Sequence, residues 1–369
     1  MKIGIDARLL ERKMTGIGRY LAGILKYISK VDKDNEYFLF SIGRLKDYEE
    51  KGFKVVFPGK KNLISSKVYS PIWLNFVLPK FLEKYKIDLF FEPNHFLPIR
   101  NIKSKSVIVV HDLFHKIEKS YHPFYYREYV NLFLPRSIRK SDAIIAVSEN
   151  TKKDIIKFYN VSDEKIHVIY EAADEVFRPR DLNVEQKTGL ISKYDLPENF
   201  ILYVGAIENR KNIMGILKIG DILQKLKKDI RIVLIGGPGF GFQQICQEIK
   251  KRKNIYWLNY VENKDLPYIY NLAKIFLFPS FYEGFGLPPL EAMQSGVPVL
   301  ASNTSSLPEV VGEGGMMHDP KDYEGFVKDI IKLLKDKNFY DKTRNKGINQ
   351  AKKFNWEETS KQIVAIFNN

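Results

Sequence analysis

Short apolar runs rich in β-branched and aromatic residues alternate with stretches of helical periodicity along most of the chain. In the first 170 residues the runs are KIGIDA, YFLFSI, KVVF, DLFFEP, SVIVV, AIIAVS and HVIY. The first run is followed by GIGRYLAGILKYI, whose apolar side chains recur at helical spacing. Strands that alternate with helices in this way predict a parallel sheet covered by helices on both faces.

The alternation pauses over residues 178–199 and then restarts. This segment, RPRDLNVEQKTGLISKYDLPEN, is polar and has no strand pattern, which suits a linker. Beyond it come FILYVGA, IRIVLIGG, NIYWLNYV, IFLFPS, VPVLAS and GGMMH. Because a chain of 369 residues exceeds the size of one hydrophobic core, we predict an α/β protein with two doubly wound, Rossmann-like domains, over residues 1–178 and 179–355.

Composition narrows the class of protein. No run of 18 or more apolar residues occurs, so no membrane span is predicted. The single cysteine, Cys246, excludes an intramolecular disulfide and fits a reducing compartment. We therefore expect a cytoplasmic protein.

The net charge of +15 is concentrated in the first half, because residues 1–180 carry +11 of it. Such a field favours anionic partners, which include nucleotide phosphates, an anionic membrane surface and nucleic acid. An ordinary lysine-rich soluble surface explains the same excess, so charge alone does not choose among them.

Two glutamates, Glu283 and Glu291, bracket the turn in FYEGFGLPPLEAMQSG, directly after the IFLFPS strand. The prolines and Gly296 predict a short helix, with Glu283 in the turn before it and Glu291 about one turn inside. Glycines let backbone amides approach a phosphate, and carboxylates accept hydrogen bonds from ribose hydroxyls. The plainer alternative is a solvated Glu283 and a Glu291 that only favours the helix dipole.

Two adjacent cations, Arg210 and Lys211, follow the FILYVGA strand in IENRKN and fall at the same edge of the second sheet. An arginine fork and a lysine point charge can together hold a diphosphate. Taken alone, such a pair at a helix start usually faces solvent.

A glycine loop, KMTGIGRYL, precedes the first long helix and contains Gly16 and Gly18. It does not match the dinucleotide fingerprint, because Leu21 occupies the place of the third glycine. A loop that approaches phosphate and a plain flexible turn both remain open, and neither requires nicotinamide or flavin.

One histidine, His111, ends the SVIVV strand at the edge where ligands bind. It could donate a hydrogen bond to a reacting sugar or position it, or serve as a structural histidine. His115 lies four residues on, but helical geometry is not expected at a strand end and HExxH is not matched. We predict no metal site.

A basic aromatic segment, residues 119–141, allows two interpretations. It could lie against a membrane surface, or its aromatic side chains could form the buried face of a helix.

Seven segments, taken together and in order, resemble the retaining family 4 glycosyltransferases. They are TGIGRYL, VVHDLFH, VSENTKKDI, LYVGAIENRKN, VENKDLPYIYNLA, EGFGLPPLEAMQSGVPVLAS and FNWEETSKQIVAIF. The sixth matches the E-x7-E region of that family. The resemblance implies the GT-B fold, in which two Rossmann-like domains face a cleft. It also implies metal-independent transfer of a sugar from a nucleoside diphosphate sugar, with retention at the anomeric carbon and no further cofactor.

Roles for individual residues follow from the resemblance at the matching positions. Glu283 would hold hydroxyls of the donor sugar, and Glu291 would hold the ribose. Arg210 and Lys211 would grip the diphosphate, and Val261 would present its backbone to the base.

The same resemblance implies that His111 lies beside the donor sugar at the reaction centre. Many members of the family carry arginine where this chain has Ala206, so Arg210 is expected to substitute for it. The last helix, residues 356–369, would pack back on the first domain. The backbone amides expected to assist the leaving phosphates are those of Gly16, Gly284, Phe285, Gly286 and Leu287.

These expectations define a hexosyltransferase of surface polysaccharide assembly. The TGIGRY opening resembles that of mannosyltransferases, which favours GDP-mannose as donor and a UDP-hexose next. The expected acceptor is a glycan or a lipid-linked saccharide, so the protein would lie at the inner face of the cell membrane. A sugar-nucleotide epimerase or hydrolase of the same fold is the alternative enzyme, and a basic nucleic-acid-binding protein is the alternative outside enzymes.

Overall fold

The computed structural model divides the chain into two compact units. The structure describes residues 1–11, 16–59, 71–118 and 124–368. Unit 1 comprises Met1–Leu113, Phe124–Ala172 and Asn355–Asn369, and unit 2 comprises Phe114–Pro123 and Ala173–Phe354. The division after Ala172 lies six residues before the boundary expected from the sequence.

A parallel sheet of seven strands forms the centre of unit 1, as its described residues show. The strands are β1 Lys2–Asp6, β2 Glu36–Phe40, β3 Lys54–Val56, β4 Leu89–Glu92, β5 Lys105–Val110, β6 Ala143–Ala146 and β7 Ile166–Val168. They coincide with the seven predicted runs. Their order in the sheet is β3-β2-β1-β4-β5-β6-β7, so the direction of winding reverses between β1 and β4.

A second parallel sheet, of six strands, forms the centre of unit 2 in the part of the chain that the structure describes. The strands are β8 Phe200–Val204, β9 Arg231–Ile235, β10 Ile255–Leu258, β11 Ile275–Phe278, β12 Val299–Ser302 and β13 Met316–His318. Their order is β10-β9-β8-β11-β12-β13, which reverses between β8 and β11. Both sheets therefore have the doubly wound topology that the alternating pattern predicts.

Helices connect the strands in both units. In chain order they are α1 Gly16–Val31, α2 Lys46–Glu49, α3 Leu78–Lys84, α4 Phe114–Ile117, α5 Phe124–Lys140, α6 Glu149–Tyr159, α7 Val184–Tyr194, α8 Ile213–Lys225, α9 Phe242–Lys250, α10 Leu266–Leu272, α11 Leu287–Gln294, α12 Leu307–Val311, α13 Tyr323–Lys335, α14 Lys337–Ala351 and α15 Trp356–Asn368. A π-helical turn, Trp73–Val77, precedes α3.

The last helix belongs to unit 1 because it packs on α1. Trp356 lies so close to Gly23 that a Cβ added there would stand 2.4 Å from the indole ring. Tyr20 of α1 also contacts Trp356, edge to face, at 5.9 Å between ring centroids. Glycine at position 23 is what allows the two helices to approach.

The segment expected to be a linker is partly helical. Asn183 and Gln186 form a capping box at the start of α7, and Asp195 ends the helix in the left-handed conformation. Capping by short polar side chains explains how so polar a stretch holds a helix.

Candidate active site

Ligands of doubly wound sheets bind beyond the carboxyl ends of the strands, where the strand order reverses. In unit 2 this point lies between β8 and β11. Arg210 and Lys211 follow β8, and Glu283 follows β11. The topology therefore brings together groups that are about 70 positions apart in the sequence.

Lys211 and Glu283 form an ion pair inside the protein. The Lys211 ammonium donates to both carboxylate oxygens of Glu283, at 2.7 and 2.6 Å. The two side chains are only 11% and 8% exposed. Burial lowers the pKa of Lys211, the positive charge of Arg210 lowers it further, and the charge of Glu283 opposes both effects. The pair is thus a buried cation and a buried anion that satisfy each other.

Asn212 positions Lys211, and the sequence analysis did not identify it. Its backbone is left-handed, with φ of 55°, and its side chain accepts from Gly215 N–H at the start of α8. Its amide group donates to the carbonyls of Pro279, at 3.0 Å, and Pro320, at 2.7 Å. One buried side chain therefore ties the loop after β8 to the loops after β11 and β13. An asparagine directly before a helix was the available signal.

Two serines hold the turn that carries Glu283, and they were also missed. The backbone N–H of Glu283 donates to the Ser305 hydroxyl at 2.9 Å. The Ser306 hydroxyl donates to the carbonyls of Glu283 and Phe285, at 3.0 and 2.5 Å. Gly286 has φ of +132°, where other residues are strained, so the glycine is required at the start of α11.

Arg210 is engaged with neighbours on its own side of the site. Its Nε donates to Glu208 at 3.1 Å. Its guanidinium lies 5.4 Å from the ring centroid of Phe114, which stacks on Tyr282. The Ala206 carbonyl, at the position of the missing family arginine, accepts from a tyrosine hydroxyl within β8.

The second glutamate of the motif, Glu291, is buried within α11 and accepts from the Tyr270 hydroxyl at 2.9 Å. Val261 is buried in the loop after β10. The structure thus places Glu291 and Val261 in unit 2, with Arg210, Lys211 and the 283–287 turn.

His111 and Gly16 belong to unit 1. His111 follows β5, and its ring nitrogens contact Glu171 and the carbonyl of Pro93. Gly16 begins α1, and a Cβ added there would meet no atom of the described residues within 4 Å. The roles predicted for these two residues stay predictions.

Ionisable side chains that the sequence analysis missed lie at the switch point of unit 1, where the strand order reverses between β1 and β4. Asp6 ends β1 and Glu92 ends β4. Arg8 Nε lies 2.9 Å from both carboxylate oxygens of Asp6, and its guanidinium stacks over Trp73 at 4.9 Å. Burial, and next the charge of Asp6, raise the pKa of Glu92 well above its ordinary value.

The unit 2 site contains positively charged side chains. Within the described ranges, no group of three or more histidine, cysteine, aspartate or glutamate side chains could hold a metal ion. Arg210 and Lys211 are the cations that the β8 edge presents beside Glu283.

Comparison with known proteins gives the family. Residues 14–176 match the model of Glycosyltransferase Family 4, and residues 190–354 match that of Glycosyl transferases group 1. The O-antigen chain mannosyltransferase B of Escherichia coli is 31% identical over 389 residues, which cover 100% of this chain and 99% of that protein. The chain belongs to the family 4 glycosyltransferases. The predicted family and the predicted glycosyltransferase activity are confirmed.

Other relatives of this glycosyltransferase agree in length and fold. The O-antigen chain mannosyltransferase RfbU of Salmonella typhimurium is 31% identical over 356 residues, 89% of this chain and 91% of that one. The sucrose-phosphate synthase of Thermosynechococcus elongatus superposes with a TM-score of 0.78 at 17% identity, over 100% of this chain and 98% of the synthase. WaaG, a glycosyltransferase of lipopolysaccharide biosynthesis, superposes with a TM-score of 0.74 at 14% identity, over 99% of each chain. The predicted GT-B class of two Rossmann-like domains is confirmed.

Proposed function

We propose that this glycosyltransferase moves mannose from GDP-mannose to a hydroxyl of a saccharide during assembly of surface polysaccharide. The full-length similarity to an O-antigen chain mannosyltransferase supports the sugar and the type of acceptor. A UDP-hexose is the second candidate donor, because a related fold, that of Anabaena HepE, was solved with UDP-glucose. In the same proposal, transfer retains the configuration of the anomeric carbon and needs no metal ion.

The buried Lys211–Glu283 pair is the observation that carries the proposal. Both groups of a buried ion pair need partners, because an unpaired buried charge is strongly unfavourable. A sugar diphosphate supplies both partners at once: phosphate oxygens accept from Lys211, and sugar hydroxyls donate to Glu283. The donor can therefore separate the pair without leaving either charge uncompensated.

The other groups of unit 2 complete the donor site in this proposal. Arg210 shares the diphosphate with Lys211, and Glu291 accepts from the ribose. Val261 presents its backbone to the base. The backbone amides assigned to the leaving phosphates are those of Gly284, Phe285, Gly286 and Leu287.

Catalysis in this proposal is mainly electrostatic. The bond between the anomeric carbon and the diphosphate oxygen breaks, and its electron pair stays on the diphosphate, which Lys211 and Arg210 stabilise. The acceptor oxygen then bonds to the anomeric carbon on the same face, and its proton passes to a diphosphate oxygen. His111 lies beside the donor sugar at the reaction centre, and the Gly16 amide assists the leaving phosphate.

Thermal unfolding against GDP, UDP, dTDP and ADP, with and without magnesium, tests the donor. A ligand at a hundred times its Kd stabilises the folded protein by about 2.7 kcal/mol. We expect GDP to raise the midpoint without magnesium, and Lys211→Met to reduce that rise. Lys251→Met is the matched control, because Lys251 forms an exposed pair with Glu248 in unit 2. A rise with UDP alone would replace mannose by another hexose, and no rise with any diphosphate would refute the donor site.

Product analysis tests the reaction. With GDP-mannose and a saccharide acceptor we expect a new glycoside whose anomeric configuration, measured by NMR, matches the donor. Release of free mannose that does not depend on acceptor would identify a hydrolase. An inverted product would refute retention.

We also propose that unit 1 lies against an anionic membrane at its cytoplasmic face. Three apolar side chains form an exposed patch, called here the Phe76 patch: Phe76 is 57% exposed, Ile99 42% and Leu132 68%. Asn75 accepts from Ile99 N–H at 2.7 Å, and Arg136 donates to the Ile99 carbonyl, so these segments adjoin. Leu132 lies one helical turn before Arg136.

The segments that carry the Phe76 patch also carry cations. They are Lys80 on α3, Arg100 and Lys103 on the loop after Ile99, and Arg136 and Lys140 on α5. Lys103 is paired with Glu83 at 2.8 Å. Exposed apolar side chains on segments that also carry cations match an anionic lipid surface.

Helix α5, which covers most of the described part of segment 119–141, has both a buried and an exposed face. The buried face of α5 is aliphatic and consists of Val130, Leu134 and Ile138, whereas the aromatic side chains of Phe124 and Tyr129 are exposed, as is Leu132. The expectation that aromatic side chains form the buried face is therefore wrong for these two residues. Residues 119–123 lie outside the described part of the chain. Among the residues that the structure describes, no helix is long and apolar enough to cross a bilayer.

Vesicle sedimentation tests this partner. We expect binding to vesicles containing phosphatidylglycerol at low salt, little binding to phosphatidylcholine, and loss of binding in Phe76→Ser/Leu132→Ser. Leu226→Ser is the control, since Leu226 is an exposed apolar residue of unit 2. Equal binding by both variants, or none by the wild type, would refute the proposal.

A further inference from the structure

His111 is held so that both of its ring nitrogens face oxygen atoms. Nδ1 lies 3.0 Å from a carboxylate oxygen of Glu171, and Nε2 lies 2.9 Å from the carbonyl oxygen of Pro93. The His111 and Glu171 side chains are 13% and 6% exposed. The ring is therefore fixed at two points within unit 1.

The number of protons in this arrangement follows from the chemistry of the contacts. A backbone carbonyl can only accept, so the hydrogen of that contact belongs to Nε2. The Nδ1 contact with Glu171 also needs one hydrogen, which lies either on the ring or on the carboxyl. The pair thus holds one proton more than a neutral imidazole beside a carboxylate.

Imidazole is a stronger base than a carboxylate, which places that proton on the ring and makes the contact with Glu171 a charge-assisted hydrogen bond. The neighbouring titratable groups do not compete for it. Tyr20 of α1 meets the His111 ring edge-on at 4.9 Å, and burial, followed by the charge of Glu171, raises the pKa of the Tyr20 hydroxyl. Glu92, next to Pro93, has a raised pKa and favours its neutral form.

We infer that Glu171 is a positioning residue that keeps His111 as a doubly protonated, immobile cation. The inference deepens the proposed function, on which its catalytic part rests. Both N–H groups are bonded to the protein, so His111 contributes a fixed positive charge and does not exchange a proton with the substrate. Preorganised charge of this kind stabilises a departing anion.

Glu171→Gln separates charge from position, because glutamine has the same shape as glutamate. Its amide can donate to Nδ1 while Nε2 still donates to Pro93, so the ring keeps its place and becomes neutral. Glu171→Ala removes both the charge and the contact. Asp329→Asn is the matched control, because Asp329 pairs with His318 of unit 2 at 2.8 Å.

Nitrogen-15 NMR of histidine-labelled protein tests the inference directly. The chain has six histidines, and His111→Gln identifies the resonance. In the wild type at pH 7.5 we expect both His111 nitrogens at shifts typical of protonated nitrogen. In Glu171→Gln we expect Nδ1 to move to the unprotonated position, and in Asp329→Asn we expect His111 to be unchanged. An unprotonated Nδ1 in the wild type, or identical titrations in wild type and Glu171→Gln, would overturn the inference.

Kinetics tests the catalytic part. Loss of one preorganised group that stabilises developing negative charge lowers kcat by about 10²- to 10³-fold. We expect Glu171→Gln to lose this factor in kcat, with stabilisation by GDP unchanged and the alkaline limb of the pH profile shifted to lower pH. Full activity in Glu171→Gln, with the NMR change present, would show that the charge is not used. Absence of mannose transfer by the wild type would refute the proposed function and leave the NMR result standing.

Discussion

Replacing Lys211 by methionine removes one partner of the buried pair and keeps most of the side-chain volume. Glu283, only 8% exposed, then loses the ammonium that lies 2.6 and 2.7 Å from its two carboxylate oxygens. Breaking a buried pair in this way costs about 3–5 kcal/mol of folding free energy. Replacing both members is often close to neutral, so Lys211→Met/Glu283→Gln should be more stable than Lys211→Met alone.

Urea unfolding of the wild type, the two single variants and the double variant measures this coupling. We expect the free energy of unfolding of Lys211→Met to rise when Glu283→Gln is added. If the changes in unfolding free energy of the two single variants simply add, the two side chains do not compensate each other's charge. The proposal that the donor separates a mutually satisfied ion pair then loses its physical basis.

Mannose transfer from GDP-mannose, measured on the folded variants, tests the functional half. Loss of one group that stabilises a developing negative charge lowers kcat by about 10²- to 10³-fold, which corresponds to about 2.7–4 kcal/mol. The double variant should stay inactive although its stability recovers. Near wild-type turnover of folded Lys211→Met would refute the role of Lys211 in holding the diphosphate.

Two further predictions concern unit 1. The pKa of Glu92 is raised in the folded protein, so the folded state binds the Glu92 proton more tightly than the unfolded state does. The resulting stabilisation is complete below the unfolded pKa of about 4.3. It is lost as the pH rises toward the folded pKa, by up to about 1.4 kcal/mol per pH unit. Glu92→Gln has no carboxyl group to ionise, so its urea unfolding midpoint should rise relative to that of the wild type between pH 5 and 8. A difference in midpoint that does not change with pH would contradict the burial of an ionisable group beside Asp6. Gly23→Ala should lower the free energy of unfolding by about 1–3 kcal/mol, because its methyl group collides with Trp356. Gly189→Ala, in helix α7 with open space around the added carbon, should raise stability by roughly 0.5–1 kcal/mol, and a similar loss in both variants would argue against tight α1–α15 packing.

Several site residues could be proposed from the sequence because each lies directly after a segment that is recognisable as a strand. Lys211 and Glu283 each follow a strongly apolar strand, and parallel strands end at the same edge of a sheet. Their direct contact could not be predicted, because it depends on β8 and β11 being neighbours at the point where the strand order reverses. Strand order is set by packing of the whole sheet.

The residues that were missed act through long-range contacts. Glu171 reaches His111 across 60 positions, and Asn212 reaches the Pro320 carbonyl across 108. Ser305 and Ser306 support a turn more than 20 positions earlier. None of these contacts leaves a periodic or spaced pattern in the sequence, because a hydrogen bond between distant segments depends only on where the folded chain brings them.

The sequence by itself determined the alternation of strands and helices, the doubly wound class, the family, and the side chains at the carboxyl ends of β8, β5 and β11. Hydrophobic periodicity and strand-end position are local properties, so both can be recognised from neighbouring residues in the sequence. Only the tertiary structure decided that Lys211 neutralises Glu283, that Asp6 and Glu92 occupy the switch point of unit 1, and that Glu171 and Pro93 hold both nitrogens of His111. Those outcomes depend on burial and on distances of about 3 Å between segments far apart in the chain, and such distances exist only once the sheets have formed.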